Sequence, residues 1–148
     1  MDSWIFFGLF AALMFGTSAI AMKLATSNKF FGIEVGLAGI LSALGLAVVF
    51  IVYYFLFGNQ SNPLQSNPIG LGLAVLVGIL WGLGNLAVWI ALNKGADIAR
   101  MTPLYNTNTL IAVVLGILVL HELPNPANAL KVGLGAVLIF AGAILVSY

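Results

Sequence analysis

Cysteine is absent from this 148-residue chain, which excludes disulfides and thiolate metal sites and leaves the redox compartment unmarked. Charge is almost as scarce. Asp, Glu, Lys and Arg make up 6% of the residues, where a soluble domain carries about 25%. Water is therefore not the main solvent of this chain. The formal net charge of +1 gives nucleic acid no footprint, and the five Lys and Arg form no basic run for a membrane surface to read. With one His and no cluster among the four acidic residues, no metal site is expected. No nucleophile–base pair marks an enzyme, and no cofactor is implied.

What the chain has is hydrocarbon. Hydrophobic residues make up 62% of it. They fall in five long runs, at about 4–25, 33–57, 69–93, 98–120 and 127–146. At about 1.5 Å per residue each run spans a bilayer core of about 30 Å as a helix. The expected fold class is an all-α membrane protein, a single domain over 1–148 with five transmembrane helices. Asp2 precedes the first run and no positive segment does, so that run reads as a retained span and not a secretory signal.

The links between runs are short and carry stop and start signals. Gly95 is placed to end the third helix, and Asp97 to cap the fourth at its positive end. Glu34 and Asp97 read as boundary residues, and Glu122, beside His121, as an ion-pair or helix-end residue. The stretch 58–68 is polar, uncharged and rich in turn formers. Lys23, Lys29, Lys94 and Arg100 fall on one side of the expected membrane, and Lys131 on the other. The positive-inside rule then puts the N-terminus outside and the C-terminus in the cytoplasm.

Small residues recur every three or four positions. Gly8, Ala12 and Gly16 do so on the first helix, Gly32, Gly36, Gly39 and Ala43 on the second, Gly78 and Gly82 on the third, and Ala129 and Gly133 on the fifth. Helices in lipid associate by close packing, which such stripes permit. They read as seams inside one bundle or as a contact with a second copy.

The sharpest polar feature lies on the third helix. Trp81, Asn85, Trp89 and Asn93 recur every four residues and share one face. Amides at membrane depth need partners, and indoles beside them offer flat faces and an N–H each. That alternation suits a polar, uncharged solute such as a sugar, or a bond to a neighbouring helix. On the fourth helix Thr102, Tyr105, Asn106, Thr107, Asn108 and Thr109 crowd together beside Pro103, which frees the carbonyl of Ala99 and predicts a kink. Thr17 and Ser18 on the first helix read as residues that bond back to their own backbone.

From the third helix onward the chain resembles the drug/metabolite transporter superfamily. The motifs are GILWGLGNLA over 78–87, MTPLY over 101–105, GILVLHE over 116–122 and GLGAVLIFAG over 133–142. The third-span block is similar to the second half of bacterial sugar-uptake permeases, and the EamA-type five-helix module is the broader match. The resemblance implies half of a ten-helix fold, because most members carry two such modules, inverted relative to each other. It therefore implies a homodimer or a paired five-helix partner. Carried over residue by residue, it places a substrate cavity on Trp81, Asn85, Trp89, Thr102, Tyr105, Asn106 and Asn108. The small multidrug-resistance relatives carry a membrane-embedded glutamate in the first helix, which this chain lacks. The function expected is a cell-membrane permease for a small polar metabolite, with the bilayer as its surroundings. The alternative is a non-transporting accessory or scaffold subunit of another membrane protein.

Overall fold

The computed structural model of the chain describes residues 3–58, 66–121 and 126–147. All regular structure among them is helical. The helices are α1 (Ser3–Thr26), α2 (Val35–Phe57), α3 (Pro68–Asn93), α4 (Ile98–Tyr105), α5 (Asn108–Val119) and α6 (Pro126–Ser147). Two compact units divide the chain, Met1–Gly95 with α1 to α3 and Ala96–Tyr148 with α4 to α6. The first three helices and the stretch Ile98–Val119 are each long and apolar enough to cross a membrane. The last helix adds the apolar segment Leu130–Val146. These are the five expected spans, with the fourth in two pieces. Glu122 and most of the 58–68 stretch lie outside the described residues.

Local chemistry sets the helix ends. The α1 terminus folds into its link, where Phe31 N–H donates to Leu24 O (3.2 Å) and Ile33 N–H to Ala25 O (2.8 Å). Those carbonyls would otherwise be orphaned at the helix end. Gly95 stops α3 as the sequence requires: its φ is +99° and its N–H donates to Leu92 O (3.1 Å). Asp97 takes the N-cap position of α4 with extended backbone, but its carboxylate makes no capping hydrogen bond.

Glu34 is the stronger cap. Its carboxylate accepts from the amides of Gly36 and Leu37, both at 2.7 Å. A side chain at position 36 would bring its Cβ to 3.0 Å from that carboxylate. The amide of Gly36, then that of Leu37, holds the Glu34 carboxyl below its ordinary range. A lowered carboxyl supports the folded helix start at pH above its ordinary value, and the support goes as pH falls through the lowered one. Hydrogen-exchange protection at Gly36 and Leu37 is therefore expected to fall on acidification below the usual carboxylate range. In Glu34→Ala the protection is lower and shows no such step.

Few side chains are buried within the chain. Among the described residues of the first unit, Ala19, Ala38, Trp89 and Leu92 are buried apolar residues, and Thr26 and Ser27 are buried polar ones. In the first unit α3 packs on both α1 and α2. In the second, α6 packs on both α4 and α5. At the glycines of these stripes the structure shows no seam within either unit. A Cβ placed at Gly8, Gly16, Gly39, Gly78, Gly82 or Gly133 meets nothing within 4 Å. Gly32 lies in the link before α2, at φ +60°, and so leaves the expected stripe. These glycines open surface and do not tighten it.

Candidate functional site

The seven residues expected to line a cavity divide between the two units. Trp81, Asn85 and Trp89 lie on α3 of the first. Thr102 and Tyr105 on α4, Asn106 after it and Asn108 opening α5 belong to the second.

On α3 the four-residue repeat places every member on one side of the helix, yet each has a different fate. Asn85 is half-buried and its Nδ2 donates to Trp81 O one turn back (2.8 Å). That bond uses one amide hydrogen and leaves Oδ1 as an acceptor. Asn93 at the helix end reaches across: its Nδ2 donates to Thr26 O (2.7 Å), latching α3 to the end of α1. Thr26 is 0% exposed and its own hydroxyl donates to Met22 O (2.9 Å). Trp89 is 7% exposed, and its Nε1–H is buried without a hydrogen-bond partner. A buried donor left unpaired costs free energy, so it marks a place where an acceptor belongs. Trp81 is half exposed and takes no part in a polar contact of its own side chain.

Trp81 instead walls an apolar slot of about 600 Å³ inside the first unit. Phe15 of α1, Leu46 and Phe50 of α2, and Ala74, Val77 and Gly78 of α3 complete its lining. These positions lie midway along their helices, at hydrocarbon depth. The floor is low because Ala74 and Gly78 are small and successive on the same face of α3, and nothing approaches the place a Gly78 Cβ would take. The sequence reading missed this slot. Its one signal is that Ala74 and Gly78 stand four apart and in phase with Asn85.

The fourth span breaks near its middle. The sequence predicts a kinked continuous helix over 98–120, but α4 ends at Tyr105 and α5 starts at Asn108. The break begins about 12 Å in from Ile98 at 1.5 Å per residue. Thr107 N–H turns to Leu104 O (3.3 Å), Thr109 N–H to Asn106 O (3.2 Å) and Leu110 N–H to Thr107 O (2.9 Å). These are tight three-residue turns. The hydroxyls of Thr107 and Thr109 donate to the same Leu104 and Asn106 carbonyls, at 2.7 and 2.9 Å, and hold the turns closed. The carbonyls of Pro103 and Tyr105 thereby lose their α-helical amides, and Pro103 already denies one to Ala99. Irregular backbone at membrane depth is tolerated where protein or a water-lined cavity receives it. Asn106 and Asn108 are exposed, while Thr102 and Tyr105 are half-buried with hydroxyls 3.5 Å apart. Arg100 Nε–H donates to Val146 O (3.4 Å), tying α4 to the end of α6.

Thr17 and Ser18 do what their sequence context suggests. Thr17 donates to Leu13 O, and Ser18 to Phe15 O at 2.8 Å. Their hydroxyl hydrogens are satisfied along α1. Among the described residues no group of three or more His, Asp or Glu is placed to hold a metal ion.

The curated proteins and the solved structures offer no match to this chain. The EamA-like transporter family does: its model covers residues 2–148, and the chain, with its apolar spans, polar stripe and broken fourth helix, belongs to that family.

Proposed function

We propose that this protein is a permease for a small, uncharged polar metabolite, working by alternating access as a pair of five-helix units. Family membership carries the coarser part, a multi-pass membrane protein with a transporter's function. The observation that carries the finer part is the polar equipment at hydrocarbon depth. An amide with a spare acceptor, a buried indole N–H without a partner and a broken helix with three under-used carbonyls all sit within membrane spans. Lipid satisfies none of them.

Trp81, Asn85 and Trp89 on α3, and Thr102, Tyr105, Asn106 and Asn108 of the fourth span, are the residues we assign to the solute. Asn85 and Asn106 donate and accept hydrogen bonds, and the indoles supply flat contact area. No covalent step is involved. The chain sits in the cell membrane with its N-terminus outside, as the Lys and Arg placement directs. A second five-helix unit, either another copy or a paired protein, completes the pathway.

The test is uptake by proteoliposomes. A metabolite library screened against the parent protein identifies the solute that enters. Asn85→Leu and Asn106→Leu are each expected to cut its uptake about fivefold, with helicity unchanged. Uptake that persists undiminished in the double variant removes these residues from the site. A protein that moves no solute but copurifies with another membrane protein is an accessory subunit instead.

A further inference from the structure

The face of α3 that floors the apolar slot does not end there. At about 100° per residue, Ala74, Gly78, Trp81, Asn85 and Trp89 all fall within an arc of about 80°. Asn85 lies about 20° to one side of Gly78 and Trp89 about 20° to the other, both toward the C-terminal end of α3. Along this one stripe the chemistry therefore changes in order. First come the small floor residues, then the Trp81 ring, then the Asn85 amide, then the buried Trp89 N–H without a partner. From Trp81 to Trp89 the distance is about 12 Å along the axis.

From this gradient we infer that the solute is amphipathic, with a ring-sized apolar body in the slot between α1, α2 and α3 and a compact uncharged head at Asn85 and Trp89. The inference rests on the permease reading and narrows its substrate class. The slot is of the size that small-molecule sites have, and its lining is apolar throughout. A hexose presents hydroxyls on every side, and a hydroxyl facing Phe15, Phe50 and Val77 loses its water without gaining a partner. The head is specified more closely. Trp89 Nε1 is a donor only and lies buried outside the slot's lining, so in the solute-bound conformation it calls for an acceptor on the solute. Asn85 Oδ1 is an acceptor whose amide partner is already turned to Trp81 O, so it selects a donor. A carboxamide supplies both within one planar group. No charged side chain stands on this stripe, so the head is neutral.

The test measures binding to the purified protein in phosphatidylcholine nanodiscs by equilibrium dialysis. The probes are 3-phenylpropanamide, propanamide and methyl glucoside. The phenyl compound is expected to bind at least tenfold more tightly than either of the others. Gly78→Leu fills the floor and should bring its affinity down to that of propanamide. Phe50→Ala enlarges the slot and should shift preference toward 3-(2-naphthyl)propanamide, which keeps the test alive if Gly78→Leu does not fold. Trp89→Phe should weaken all carboxamides at least fivefold when binding is measured well below the variant's own melting temperature.

Methyl glucoside binding more tightly than 3-phenylpropanamide overturns the inference. So does carboxamide affinity that ignores both slot variants. If Gly78→Leu alters crosslinked dimer yield but no probe affinity, the slot seats a second copy's helix and the inference is wrong. Failure here separates from failure of the permease reading. Saturable glucoside uptake that is lost in Asn85→Leu keeps the permease and discards the amphipathic solute. No binding and no uptake of any library member discards both.

Discussion

Replacing Asn93 by Leu is expected to unlatch α3 from α1 and to cost about 1–3 kcal/mol of folding stability. Hydrogen bonds between membrane helices average only about 0.6 kcal/mol, so the larger figure needs a reason. The reason is the acceptor. Thr26 is 0% exposed, and the Asn93 amide is held at 2.7 Å from its carbonyl. In the unfolded-in-membrane reference an interfacial carbonyl reaches water. In the folded variant it reaches neither water nor an amide, and the full desolvation cost stays. The neighbours raise the stakes further, since Leu92, Trp89 and Ala19 make up much of the small buried core of this unit. Asn93→Gln keeps the amide but lengthens its arm, so it should lose less. Unfolding by SDS titration in mixed micelles gives the comparison. An Asn93→Leu protein as stable as the parent contradicts the latch.

Pro103→Ala is expected to move stability and transport in opposite directions. Alanine restores the N–H that Ala99 O lacks and removes the ring clash, and a proline in a helix interior costs about 3 kcal/mol. The gain here should be smaller, about 1–2 kcal/mol. The break itself lies further on, at Asn106 and Thr107, where Thr107 and Thr109 hold the turns with their hydroxyls. Uptake of the identified solute should fall about tenfold, because the Ala99 carbonyl that Pro103 leaves free is then paired within the helix and withdrawn from the pathway. Greater stability with full uptake would show that the free Ala99 carbonyl takes no part in transport.

How much of this was legible in the sequence follows from what each feature depends on. Span number and position depend on chain-local hydrophobicity measured against bilayer thickness, so the runs and the helices agree to within about two residues at their ends. Gly95 was legible because a positive φ is a property of one residue. The break in the fourth span was half legible. Pro103 announced a kink, but its place is set by whether the Thr107 and Thr109 hydroxyls and amides settle on Leu104 and Asn106, a contest between local partners that composition does not decide.

The polar stripe shows the same division. A four-residue spacing puts Asn85 and Asn93 on one side of α3 whatever surrounds them. Only the fold tells that Asn85 bonds to its own helix while Asn93 finds the end of α1. The small-residue stripes were legible as open surface but not as to what meets them. A stripe such as Gly78 and Gly82 permits close approach, but approach needs a neighbour, and within its own unit α3 offers none there. What opened instead was the slot beside Trp81.

The account depends on the α3 stripe meeting a solute path and not lipid. The natural absence of cysteine makes that directly measurable. Single variants Asn85→Cys and Leu83→Cys lie on opposite sides of α3, about 160° apart. In intact proteoliposomes a membrane-impermeant, water-soluble thiol reagent should label the Asn85→Cys protein, and the transported solute should slow that labelling. The Leu83→Cys protein should react only with a lipid-soluble reagent. Labelling of Asn85→Cys by the lipid-soluble reagent alone, indifferent to solute, would place the stripe against acyl chains and contradict the account.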